Sequence, residues 1–212
     1  MCLESYRLVE EREKPITVYK ILTKDWRGYR SPYQYFCWEL GKEYTDTGPV
    51  CHKNGEISCG VFHTYEYLED AICSWYIFNK CSNYEKYVIG EFTIPKDAQV
   101  YKGMCGGWTN SYGSTKLKFE AIINFDEDIA HALRILRGAL SKGSQSSSWV
   151  WSLTKEQVDE MVFRYVEELK RDPEYADRDM GSHIERIHEG VDKYYKLRDW
   201  IANEKKEKEK EE

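Results

Sequence analysis

The sequence predicts an α+β fold: a mixed, mainly antiparallel sheet with flanking helices, followed by a C-terminal helical hairpin. Three observations predict it. Over the first two-thirds, β-branched and aromatic runs are bounded by clusters of Gly, Pro, Asp and Asn. Between them, apolar residues fall at helical spacing in only two stretches, near 65–79 and 126–140. Beyond a serine-rich stretch at 141–148, only helical periodicity remains.

Taken in order, Leu3 to Glu13 is compatible with a helix that Pro15 ends, because proline cannot donate inside a helix. Ile16, Val18, Tyr19 and Ile21 predict a first strand, and Tyr33 to Leu40 a second extended segment. Gly41, Asp46, Gly48, Pro49, Asn54 and Gly55 punctuate an irregular loop with short extended pieces, which leads into a strand at Ile57 to His63. A helix follows over Tyr65 to Asn79, carrying Leu68, Ala71, Ile72 and Trp75 on one side. Tyr87 to Ile94 and Gln99 to Lys102 predict paired strands, stopped at Pro95. Gly103 to Gly113 reads as a flexible, glycine-rich, aromatic loop, and Leu117 to Ile123 as a half-buried strand.

Asp126 to Leu140 returns to helical spacing. Thr154 and Gln157 then form a capping box ahead of Val158, Met161, Val162, Tyr165 and Val166, and a last helix runs from Gly181-Ser182 into the Lys/Glu tail at 204–212. The predicted organisation is therefore an α+β core at 1–140, a Ser-rich linker at 141–152 and a helical region at 153–212. On that division, a chain ending near Ser146 keeps its core folded.

Composition bounds the chemistry. The net charge of −6 gives no global pull toward nucleic acid, and no apolar run approaches the roughly 20 residues that span a bilayer. Without a signal-peptide pattern at Met1 to Lys14, the seven cysteines are expected as free thiols or metal ligands of a cytoplasmic protein rather than disulfides. Cys51, His52, Cys59 and His63 supply zinc-type ligands, but their spacing lacks the paired Cys-x2-4-Cys knuckle, which argues against zinc. His63 ends a strand that leads into a helix, a position at the rim of a sheet where it can act as acid, base or clamp, or satisfy backbone carbonyls. Glu120, between Phe119 and Ala121, faces either a cleft, where it can accept a proton, or solvent.

Val18-Tyr19-Lys20, then Tyr35 to Leu40 leading into Gly41-Lys42-Glu43-Tyr44, then Cys51, Asn54-Gly55 and Gly60-Val61-Phe62-His63 resemble a family of short, uncharacterised phage and bacterial proteins over about residues 16–80. More remotely, the order of Val18-Tyr19-Lys20, Gly60 to Thr64, the helix at 65–79, Phe92-Thr93-Ile94-Pro95 and Phe119-Glu120 is similar to the core of mono-ADP-ribosyltransferases. That resemblance implies NAD as cofactor, held by Lys20, Thr64 and Tyr65, with Glu120 and His63 in catalytic roles. Lys20 stands where that family has an arginine, and a lysine lacks the planar bidentate fork. The resemblances together imply a phage-type NAD-dependent transferase acting on a host macromolecule. A non-enzymatic accessory or protein-interaction module is the alternative, and a small zinc-binding domain the third.

Overall fold

The structure is a computed structural model that describes residues 3–9, 12–32, 36–81, 86–105, 109–141, 154–171 and 180–211. Its class is α+β, and the described residues divide into two compact units that meet in sequence between Asn124 and Phe125.

The first unit is built on one sheet whose pairings are all antiparallel among the described residues. Its order is β5 (Glu43–Thr45), β12 (Lys116–Ile123), β9 (Lys86–Ile94), β2 (Ile16–Asp25), β8 (Phe62–Tyr65), β11 (Thr109–Ser114), β10 (Val100–Cys105), β1 (Leu3–Leu8), β7 (Glu56–Cys59) and β6 (Cys51–Lys53). β3 (Gly28–Arg30) and β4 (Cys37–Trp38) branch from β2. The centre is the long β2–β9 ladder, in register from Ile16–Ile94 to Lys24–Lys86.

Alternation along these strands sends Val18, Leu22, Phe92, Phe119 and Phe62 into one core, over which Trp38 is laid with 2% exposure. Trp38 meets Phe62 and Phe92 edge-on at centroid distances of 5.2 and 4.9 Å, and Phe92 stacks on Phe119 at 4.7 Å. The residues of opposite parity, Tyr19, Ile21 and Ile89, are buried too, and the helix α1 (Leu68–Cys81) lies against β9, β2 and β8.

Two sequence expectations change in the sheet. Residues 3–8 form β1 rather than a helix, because pairing with β10 and β7 and the complete burial of Leu3 override local propensity. The glycine-rich stretch Gly103 to Gly113, expected as a loop, instead extends the expected strand at Gln99 to Lys102 into the β10–β11 ladder, which runs from Val100–Ser114 to Cys105–Thr109, with residues 106–108 outside the described set. Glycine suits it because a Cβ on Gly103 would lie 2.6 Å from the Glu4 carbonyl oxygen on β1.

The cysteine expectation also fails at one pair. Asn54 and Gly55 both take positive φ (53° and 77°), making the two-residue turn that joins β6 to β7 and sets Cys51 opposite Cys59. Their Cα atoms are 5.2 Å apart and the two are joined in a disulfide. The argument from thiols to a reducing compartment therefore lapses for this pair. Trypsin should cut after Lys53 yet leave the two fragments linked until a reductant is added. Replacing both cysteines by Ser should lower stability by about 2–3 kcal/mol, as expected for a loop this short.

The second unit contains α2 (Glu127–Ser141), α3 (Lys155–Arg171) and α4 (Met180–Glu211). Asp126 caps α2 through Oδ1 to the Ile129 amide at 3.0 Å. The Thr154/Gln157 box is formed as its residues predict, with Thr154 N donating to Gln157 Oε1 (2.9 Å) and Gln157 N to Thr154 Oγ1 (3.4 Å). Ile129, Ala132, Leu133 and Leu136 of α2 and Ile187, Val191, Tyr194 and Leu197 of α4 are buried, and α2 packs chiefly on α4. Asp128 holds the same pair together by accepting from Arg186 Nε (2.6 Å) and Lys193 Nζ (2.9 Å).

The expected boundary after residue 140 is thus displaced. The apolar stripe of α2 matches α4 and places α2 in the helical unit, so the core ends near Asn124. Residues 142–153, which include most of the expected linker, lie outside the described set. No helix among the described residues is long and apolar enough to cross a membrane.

Candidate functional site

The sheet is weakest where two candidate residues lie. β2 and β8 share a single bridge, Tyr19–Tyr65, while each is fully paired on its other side. No second β2–β8 pair forms among the described residues. Lys20 fills the gap: its Nζ donates to the carbonyl of His63 at 2.7 Å, in place of a strand-to-strand bond.

Lys20 has the parity of Val18 and Leu22 and therefore projects to the face covered by Trp38, whose ring centre is 5.9 Å from Nζ. Burial pushes the ammonium down to about 8. No carboxylate pairs with it among the described residues, so a desolvated cation is left with one main-chain acceptor and an aromatic face.

Thr64 lies on the same face, 1% exposed, with Oγ1 donating to the Tyr112 carbonyl at 3.3 Å. The register carries the row onward, since Thr64 is opposite Tyr112 and Tyr112 opposite Lys102. Glu66, two residues after Thr64, closes this row: its Oε1 accepts from Lys102 Nζ at 2.6 Å and from Tyr112 OH at 3.2 Å. Lys20 and Thr64 are thus brought to one seam, together with three groups that sequence reasoning missed. Glu66 was missed because its partners arrive from other strands: Lys102 ends the expected strand Gln99 to Lys102, and Tyr112 lies in the stretch expected as a loop.

His63 and Tyr65 have the other parity. The imidazole is 6% exposed, and neither ring nitrogen has a hydrogen-bond partner among the described residues. Desolvation, then the nearby Lys20 charge, lowers its pKa to about 4. The unfolded chain, with an ordinary histidine near 6.5, takes up the proton first. His63 therefore contributes stability that is complete above about pH 6.5 and drains away as the pH falls toward 4. Urea unfolding at pH 7.5 and 4.5 should show an acid loss of about 2–3 kcal/mol from this group. His63→Leu should flatten that limb; an unchanged slope would remove His63 as its source.

Glu120 is not on either strand of the seam: it lies on β12, which β9 separates from β2, at the register shift between Phe119 and Ala121, and its Oε2 pairs with Lys118 Nζ at 3.1 Å along the same strand. The zinc-type set is also separated: the sulfurs of Cys51 and Cys59 are bonded to each other, and His52 Nδ1 shares a hydrogen bond with Tyr6 OH at 2.5 Å. Among the described residues, no group of three His, Cys, Asp or Glu side chains is placed to hold a metal ion.

Comparison with known proteins finds no matching family model, no matching curated protein and no matching solved structure.

Proposed function

We propose that the α+β unit binds a small anionic ligand of the nucleotide class, NAD among them, at the seam between β2 and β8. The observation that carries this reading is Lys20, a buried ammonium that, among the described residues, has a main-chain carbonyl as its one hydrogen-bond acceptor and no carboxylate paired with it. Such a cation is stabilised by an arriving anion far more than a surface lysine is, because no water screens the pair. The resemblance to ADP-ribosyltransferases points to the same residues, Lys20 and Thr64. With Glu120 on β12, beyond β9, and engaged by Lys118, the reading is one of binding rather than transfer.

Calorimetric titration with NAD and ADP-ribose tests it. Wild type should bind at least one of them, and Lys20→Met should weaken binding tenfold or more while leaving the melting temperature within a few degrees. Absence of binding by both at millimolar ligand ends the reading. Release of nicotinamide that disappears in Glu120→Gln would restore transfer chemistry in its place.

A second reading, a phage-type module that docks on a host protein, is favoured by one observation. Phe163 on α3 and Trp200 on α4 are 63% and 51% exposed in the helical unit. Cross-linking that depends on both side chains would support it.

A further inference from the structure

We infer that the end of the sheet carrying the β2–β3 turn is a docking surface for single-stranded nucleic acid, where a base stacks on Trp26 and phosphates meet Lys24, Lys86 and Arg27. The inference does not depend on the ligand proposed for the seam.

β2 and β3 are joined by the two-residue turn Trp26-Arg27, with Asp25 opposite Gly28. Asp25 fixes that turn: its Oδ1 accepts from the Arg27 amide at 2.8 Å and its Oδ2 pairs with Arg30. The one carboxylate of this hairpin is thereby used within it. Trp26 is left 85% exposed, more than any other large apolar side chain described, and the Arg27 guanidinium lies over its ring at 4.6 Å from the centre.

The register adds two further cations. Lys24 stands opposite Tyr29 on one side and opposite Lys86 on the other. Side chains directly opposite in an antiparallel pair share a face, so Tyr29, Lys24 and Lys86 form a row across three strands. Both lysines are exposed, and Lys24 Nζ lies 5.6 Å from the Tyr29 ring centre. No carboxylate pairs with Lys24, Arg27 or Lys86 among the described residues. Like charges set directly opposite one another weaken a sheet, and an arriving polyanion relieves that repulsion.

A ligand with charge alone would neutralise the cations and leave Trp26 in water. A nucleic-acid base has a face for the ring to stack on, and cations beside exposed aromatics are what single-strand binding surfaces combine. In a duplex the bases are stacked on one another, out of reach of Trp26. A lipid surface matches less well, because attachment grows with buried apolar area and the turn offers one ring. With a net charge of −6 on the whole chain, attraction is short-ranged and local to this end, and salt should weaken it.

The test titrates fluorescein-labelled oligothymidylate of about 12 nucleotides with the full-length protein, reading anisotropy between about 50 and 200 mM salt. Three phosphate contacts should give log affinity a slope of about −2 on log salt, and Lys24→Gln with Lys86→Gln should reduce it to about −0.7. Trp26→Ala should weaken binding at least about fivefold, and Trp26→Phe should restore most of it. The lysine pair variant should melt no lower than wild type, since a repulsion has been removed. Lys20→Met should leave the affinity unchanged within about twofold; a larger loss would move the contact to the seam and overturn the inference. Absence of binding at about 50 mM salt would also overturn it, as would a Trp26→Ala variant that binds like wild type. So would equal competition by the matched duplex or by polyglutamate, which would reduce the patch to an unselective polyanion contact. Phosphatidylserine vesicles that bind where the oligonucleotide does not would assign the turn to a membrane instead. Should the Trp26 variants misfold, the preference of wild type for the single strand over duplex and polyglutamate decides alone.

Discussion

A chain cut after Asn124 is expected to fold cooperatively and remain in solution, whereas one cut after Ser146 aggregates. The longer fragment keeps α2 but loses α3 and α4, and so returns the buried faces of Ile129, Ala132, Leu133 and Leu136 to water. Each of the three larger side chains forfeits about 1.5–3 kcal/mol of burial, and together they leave a contiguous apolar stripe on an unpartnered helix. The shorter fragment ends at the division between the two units and carries none of α2. Sedimentation and thermal melting of the two fragments decide the matter. A monomeric, cooperatively melting 1–146 fragment would show that α2 does not depend on α4.

The second large effect is expected at Gly190. A Cβ built there would lie 2.7 Å from the Cβ of Ala132 and closer still to the main chain of Asp128, so α2 and α4 cross in van der Waals contact at this glycine. Backbone on a packed helix cannot retreat as a flexible side chain can. Gly190→Ala should therefore cost about 1–3 kcal/mol despite the better helix propensity of alanine, and Gly190→Leu more. Because Asp128 also anchors Arg186 and Lys193, spreading the helices loosens those ion pairs as well. Hydrogen exchange should rise in α2 and α4 and stay unchanged in β2 and β9. A Gly190→Ala variant more stable than wild type would refute the close crossing.

How much of this was legible follows from what each signal depends on. The β2 and β9 strands, α1 and the Thr154/Gln157 cap rest on residues adjacent in sequence, and periodicity and capping chemistry exposed them. β1 and the β10–β11 ladder depend on partners far along the chain. Leu3 takes its strand state from Ile57 and Met104 from Asn110, and nothing local to either announces that. The Asn54-Gly55 turn was the legible hint that went furthest unused, since a two-residue hairpin with a bulge at Cys51–His52 puts Cys51 across from Cys59. At the site, Lys20 and Thr64 were in view only through the resemblance to the ADP-ribosyltransferase core. Glu66 was out of reach, being defined by Lys102 and Tyr112, and the placement of Glu120 depended on the strand order and on a register shift between Phe119 and Ala121 that no local pattern announces.

The ends of the sheet carry a further consequence. β5 and β6, which terminate it, are three residues long, and the side branch ends in the two-residue β4. A strand of three residues offers an incoming chain one or two main-chain hydrogen bonds, too few to offset the entropy of docking. Lys53 on one outer strand and Glu43 on the other add charge at the same places. A protein with this much sheet and this many aromatic side chains should accordingly tolerate high concentration without seeding fibrils, so long as its long central ladders stay closed.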